Sequence, residues 1–206
     1  AHGIMMCKPT VLGSGEWMLP TAVWGCCDVF NEDAMDDRFS NVTCSADNGA
    51  TFARRGGADV PDRGFDEHMV IERRDGSLWM LVRATYGVGQ SFSTDGGFTW
   101  SPGEPSNIAG PCSRFFIRRL ASGRLLLVNH YDFEGRSHMT ALLSDDDGES
   151  WPHHLLLDER GGVSYPDGVQ ASDGRIYAIY DFGRGSEKEI LMAVVREEDI
   201  LAGKIV

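Results

Sequence analysis

The sequence lacks any apolar run long enough to cross a bilayer, and no stretch of ordinary helix length carries a convincing 3.6-residue apolar period. The first absence argues against a membrane-spanning helix, and the second leaves strands to carry the regular structure. Positive charge is scarce as well. Nineteen Lys and Arg stand against 31 Asp and Glu, a net charge of −12, which argues against a nucleic-acid surface and for a soluble protein. The five cysteines (Cys7, Cys26, Cys27, Cys44, Cys112) are an odd number without metal-ligand spacing, and the adjacent Cys26-Cys27 is no zinc motif. Free thiols within strands are expected, with no disulfide framework and no metal. No signal peptide and no low-complexity tail are found, and the start, Ala1-His2-Gly3-Ile4, reads like the middle of a longer chain.

What is abundant is glycine, with 25 residues, beside 10% aromatics; the pair fits many short strands joined by tight turns. The chain is organised around Ser93-Thr94-Asp95-Gly96-Gly97-Phe98-Thr99-Trp100. Ser and Asp side chains cap backbone N–H groups in a tight turn, Gly supplies the positive φ, and Trp starts the following strand with a large apolar surface to bury. The pattern returns around Asp146, ending in Trp151, and in weaker form around Asp47, where Phe52 replaces Trp. The three Asp residues stand 48 (95 − 47) and 51 (146 − 95) residues apart. Self-similarity at about 40–50 residues carried by short strands is the mark of β-propeller blades. Asp145-Asp146-Asp147-Gly148 does not fit an EF-hand calcium loop, because Leu143 holds the first ligand position.

Four apolar hairpins centred on Gly15, Gly76, Gly123 and Gly174 precede these turns. They predict an all-β chain of four-stranded antiparallel blades in one propeller domain over 1–206. The blade units run approximately over 1–62, 63–110, 111–160 and 161–206, with an acidic insertion, Asn31 to Asp37, in the first. The last unit lacks the Asp turn and ends in a short helical turn at Glu197 to Leu201. Alignment on the turn glycines superposes Glu67, Arg114 and Tyr165, nine residues before Gly76, Gly123 and Gly174, and Arg83, His130 and Asp181, seven after them. In a propeller such positions converge on one rim, which makes these six residues, together with Asp66, His68 and Asp167, the candidate site. Asp47, Asp95 and Asp146 are read as structural turn formers.

The Ser-x-Asp-x-Gly-x-Thr-Trp repeats resemble the Asp-boxes, or BNR repeats, of the sialidase (neuraminidase) superfamily, and they cover most of the chain. That resemblance implies a six-bladed propeller of which the four units look like the last four blades. It also implies a retaining exo-glycoside hydrolase that removes a terminal acidic sugar from a glycan without cofactor or metal. Matched by order and strand position, Tyr165 becomes the nucleophile, Glu67 its base, and Arg83 and Arg114 the grip on the substrate carboxylate. A sugar with a carboxylate at its anomeric carbon repels an Asp or Glu nucleophile, so a neutral Tyr paired with a base suits this chemistry. No counterpart of the family's first Arg or of its acid/base Asp precedes Lys8, and Pro166-Asp167 replaces the small polar residues usual after the Tyr. Asp66, Asp167 and His130 are the local alternatives for the acid.

Two other readings stand beside this one. One is a propeller acting on a different glycan by hydrolysis or elimination, and the other is a non-catalytic glycan- or protein-binding propeller. The expected partner is a glycan, with no nucleic acid and no membrane span, and open sheet edges are expected to invite self-association.

Overall fold

The computed structural model describes residues 7–23 and 38–205; the acidic run and the Cys26-Cys27 pair lie outside the described residues. The chain divides into two compact units, Ala1–Ser106 and Asn107–Val206. Each contains two antiparallel sheets, and every sheet follows sequence order, strand beside next strand. These four meanders are the blade sheets of an all-β propeller.

In the first unit, β1 (Thr10–Val11), β2 (Trp17–Ala22), β3 (Ser40–Ser45) and β4 (Ala53–Ala58) form one sheet. β5 (Arg63–Glu72), β6 (Leu78–Ala84), β7 (Gly87–Ser93) and β8 (Glu104–Pro105) form the other. β6 reads Leu-Trp-Met-Leu-Val-Arg-Ala and is buried along its whole length, as a strand covered on both faces must be. Its alternate residues Leu78, Met80 and Val82 join Val70 in a core cluster with Met18 and Val42 of the first sheet and Leu12 just after β1. Trp100 is half-buried against the same cluster.

The second unit contains β9 (Phe116–Arg119), β10 (Leu125–His130), β11 (Met139–Ser144) and β12 (His153–Asp158), then the three-stranded sheet β13 (Val163–Gln170), β14 (Ile176–Phe182) and β15 (Glu189–Val195). Gly168 of β13 lies under Phe116, where a Cβ would come within 3.0 Å of the ring, so the absent side chain lets the two sheets approach. The far face of the last sheet is open. Val169, Ile179, Ile190, Met192 and Val194 are all exposed on it. The expected helical turn is present as α1 (Glu197–Ala202).

All three Asp turns share one hydrogen-bond pattern, including the weak copy. Ser93 Oγ donates to Asp95 Oδ1 (2.8 Å) and accepts from Gly97 N (2.9 Å), while Thr99 donates its N–H to Asp95 Oδ1 (2.9 Å) and its hydroxyl to Asp95 Oδ2 (2.6 Å). Ser45, Asp47, Gly49 and Thr51 repeat it, as do Ser144, Asp146, Gly148 and Ser150. One detail differs from the sequence expectation. Trp100 and Trp151 do not open strands; β8 and β12 begin at Glu104 and His153, and Trp100 Nε1 instead donates back to Gly97 O at 3.0 Å, closing its own turn.

The hydroxyl of Thr99, then its N–H and the Ser93 hydroxyl, hold the Asp95 carboxyl down at about 2, and Asp47 and Asp146 are held at about 2 by the same arrangement. An unfolded Asp titrates near about 4, so these carboxylates stabilise the fold above that pH and lose their contribution as pH falls toward 2. Thermal melts should therefore show the midpoint dropping between about pH 4 and pH 2, with a smaller drop in Asp95→Asn. Identical acid profiles for the two proteins would show that the Asp95 turn adds nothing.

Candidate active site

Pro166 shapes the site. It has no N–H to give to a ladder, so β13 cannot pair with β14 continuously. The register jumps between Ser164, opposite Asp181, and Asp167, opposite Ile179. Within this bulge Tyr165 takes φ +55°, a left-handed conformation rare for a bulky residue and opposed by the following proline. Bulges re-aim side chains. Here the re-aimed side chain is the tyrosine that the sequence singles out.

Three guanidinium groups surround its ring. The Cζ atoms of Arg184, Arg136 and Arg114 lie 3.9, 5.7 and 5.8 Å from the centroid. They come from the β14–β15 loop, the β10–β11 loop and the segment just before β9. Arg184 is anchored to Asp181 Oδ2 through Nε (2.8 Å) and Nη2, and to Ser164 Oγ at 3.3 Å. Ser164 in turn donates to Asp181 Oδ1 at 2.7 Å. Burial opposes the Arg184 charge, but its bonds to Asp181 and Tyr165 outweigh that cost and raise its pKa. Arg114 Nη2 donates to Pro166 O and Asp167 Oδ2, both at 3.2 Å. Arg136 donates Nη2 to Cys112 O at 3.1 Å.

The structure thus brings together Arg114, Tyr165, Asp167 and Asp181 of the expected residues. His130 is placed differently from an acid. It is buried, and its Nδ1 lies 2.7 Å from Ser137 O, which can only accept, so Nδ1 carries the proton and Nε2 the lone pair. Burial pushes its pKa down, so the ring is neutral.

Glu67 and Arg83 belong to the first unit and are described there. Arg83 Nη1 donates to Glu67 Oε2 at 2.6 Å, and both side chains are nearly sealed, 5% and 2% exposed. The Arg83 guanidinium also lies 4.9 Å from the ring of Phe65, which has φ +63° inside a β5 irregularity between Arg63 and His68. His68 is buried with Nε2 2.7 Å from Asn41 O. The Asp66 side chain lies outside the described residues. Among the described residues no group of three His, Cys, Asp or Glu is arranged to hold a metal.

Sequence reasoning missed Arg136 and Arg184. Both sit in the loop between the second and third strands of their sheets, beyond the positions compared around the turn glycines. Continuing the count into that loop puts Arg136 13 residues after Gly123 and Arg184 10 after Gly174 (136 − 123; 184 − 174).

The class that the repeats and sheets define, an Asp-box propeller, agrees with the comparisons to known proteins. The BNR repeat-like domain model matches residues 1–178, and the chain belongs to that family. A sialidase of Micromonospora viridifaciens is 30% identical over 135 residues, which is 59% of this chain and 21% of that protein. The intramolecular trans-sialidase of Ruminococcus gnavus superposes with a TM-score of 0.67 at 21% identity, over 94% of this chain and 43% of that one. An alpha-L-arabinanase of Penicillium chrysogenum does so with a TM-score of 0.64 at 13% identity, over 94% and 63%. At these identities the superpositions establish the fold. The chain spans about a fifth of the length of the curated sialidase, and the fold is common to glycosidases of different specificity.

The nearly sealed Glu67–Arg83 pair generates a test of its own. Removing one partner strands the other charge, so Arg83→Ala should destabilise the protein by about 3–5 kcal/mol. Chemical denaturation reads this directly. A loss near zero would mean that water reaches Glu67.

Proposed function

We propose that this chain carries the nucleophile-bearing part of a retaining, sialidase-like exo-glycosidase that removes a terminal acidic sugar. The observation that supports this most is the ring of three arginines around Tyr165. An arginine fork matches a carboxylate in shape, so a ring of guanidinium groups beside a hydroxyl suits an acidic sugar. Of the three, Arg136 is the one whose charge has no carboxylate already bound to it among the described residues, so it is assigned the substrate carboxylate, assisted by Arg184. Glu67 as proton acceptor and Arg83 as a further carboxylate ligand enter by resemblance alone.

In the double displacement, Tyr165 Oη gives up its proton, to Glu67 by the resemblance, and bonds to the anomeric carbon as the glycosidic C–O bond breaks; the departing oxygen takes a proton from the acid/base Asp that the resemblance implies. Water then cleaves the glycosyl–tyrosine with a second inversion, which restores Tyr165 and retains configuration. A second reading, a glycosidase acting on a less acidic glycan, draws support from Asp167 and Asp181, which occupy Arg114 and Arg184 and reduce the net positive charge at Tyr165.

The intact protein should release 4-methylumbelliferone from the N-acetylneuraminic acid glycoside, and the sugar should emerge with retained configuration by proton NMR. Tyr165→Phe should cut kcat at least about a thousandfold. Arg136→Ala should weaken acidic-sugar binding by roughly ten- to a hundredfold, the worth of one charge-assisted bond. Turnover of neutral arabinosides or galactosides without the sialoside would decide for the second reading.

A further inference from the structure

Tyr165 is held in a conformation that its own sequence resists. The left-handed region is unfavourable for a tyrosine, and a residue before proline is pushed toward extended backbone. A non-glycine residue stays there only when its surroundings over-determine it. On one side of Tyr165, Ser164 is tied to Asp181 at 2.7 Å and pairs across the ladder with it. On the other side, the first direct ladder partner of β14 is Asp167, leaving the Pro166 peptide outside the pairing. That segment is where Arg114 binds. One guanidinium nitrogen reaches both the Pro166 carbonyl and the Asp167 carboxylate, whose second oxygen accepts from Gly168 N at 2.6 Å.

Three features separate Arg114 from a ligand-binding arginine. Its side chain is only 12% exposed. Asp167 already balances its charge at 3.2 Å. Two of its donor bonds point into the bulge, to the Pro166 carbonyl and the Asp167 carboxylate, whereas Arg184 lies closer to the phenol ring, 3.9 Å against 5.8 Å. We propose that Arg114 and Asp167 form a clamp that fixes the Tyr165–Pro166 bulge, so that Arg114 is a positioning residue for the nucleophile and contributes little to gripping the substrate carboxylate. The clamp rests on the reading of Tyr165 as nucleophile for its catalytic consequence, while its effect on the tyrosine's geometry is independent of that reading.

The test uses the intact protein labelled at tyrosine Cζ with carbon-13, the Tyr165 resonance being identified by its loss in Tyr165→Phe. Arg114→Ala and Asp167→Asn should each shift or split that resonance and lower kcat at least tenfold. KM and the affinity for free N-acetylneuraminic acid should stay within about twofold, since no substrate contact is lost. Because the two residues act as one unit, the double variant should be no worse than the poorer single one. Arg136→Ala removes a cation at 5.7 Å from the same ring, against 5.8 Å for Arg114, and so measures the shift due to lost charge alone; it should lose affinity, and its shift should be smaller than that of Arg114→Ala. Circular dichroism melts identify any variant that fails to fold; Asp167→Asn, nearly isosteric, then carries the comparison. An unmoved Tyr165 resonance in both Arg114→Ala and Asp167→Asn overturns the clamp, as does loss of sugar affinity at constant kcat. If the intact protein turns over no sialoside, the proposed activity falls, and the resonance still decides the clamp.

Discussion

A carboxylate that accepts both an amide N–H and a hydroxyl four residues on is the interaction on which this architecture depends. Short strands laid side by side need abrupt reversals, and each reversal leaves amides without ladder partners. Asp47, Asp95 and Asp146 answer that need with the same bonds at the same spacing. The serine two residues earlier braces the Asp and takes the N–H of the glycine. With the reversals fixed in this way, the strands between them keep their register, and register decides which side chains reach the core.

The site sets backbone regularity against side-chain placement. A proline in β13 interrupts the ladder, and the interruption turns Tyr165 toward Arg114, Arg136 and Arg184. Three cations near one ring would repel each other, and Asp167 and Asp181 moderate that by holding Arg114 and Arg184. The two aspartates therefore leave Arg136 as the guanidinium of the three with no ion pair among the described residues.

Much of the fold was legible because its signals are local. The Asp turns and the glycine hairpins each lie within a few residues, and Gly76 and Gly123 take φ +84° and +86° as those turns require. The proximity of Tyr165 and Arg114 is legible because positions counted from the same glycine are related by the repeat. That of Arg136 and Arg184 is not, because they stand on loops whose lengths differ between sheets, and counting loses its meaning there. The partners of Arg114 were also out of reach. Pro166 and Asp167 lie more than 50 residues away in the chain, and only the bulge makes them neighbours. The neutrality of His130 depends on burial, which spacing does not report.

The plain strand order of the sheets has a consequence for how the protein is made. Each strand pairs only with its immediate predecessor and successor in sequence. None has to wait for a distant stretch of polypeptide, so each meander can assemble as it leaves the ribosome, with loop-closure costs confined to short connections. Synthesis and folding then run in the same direction, one sheet at a time.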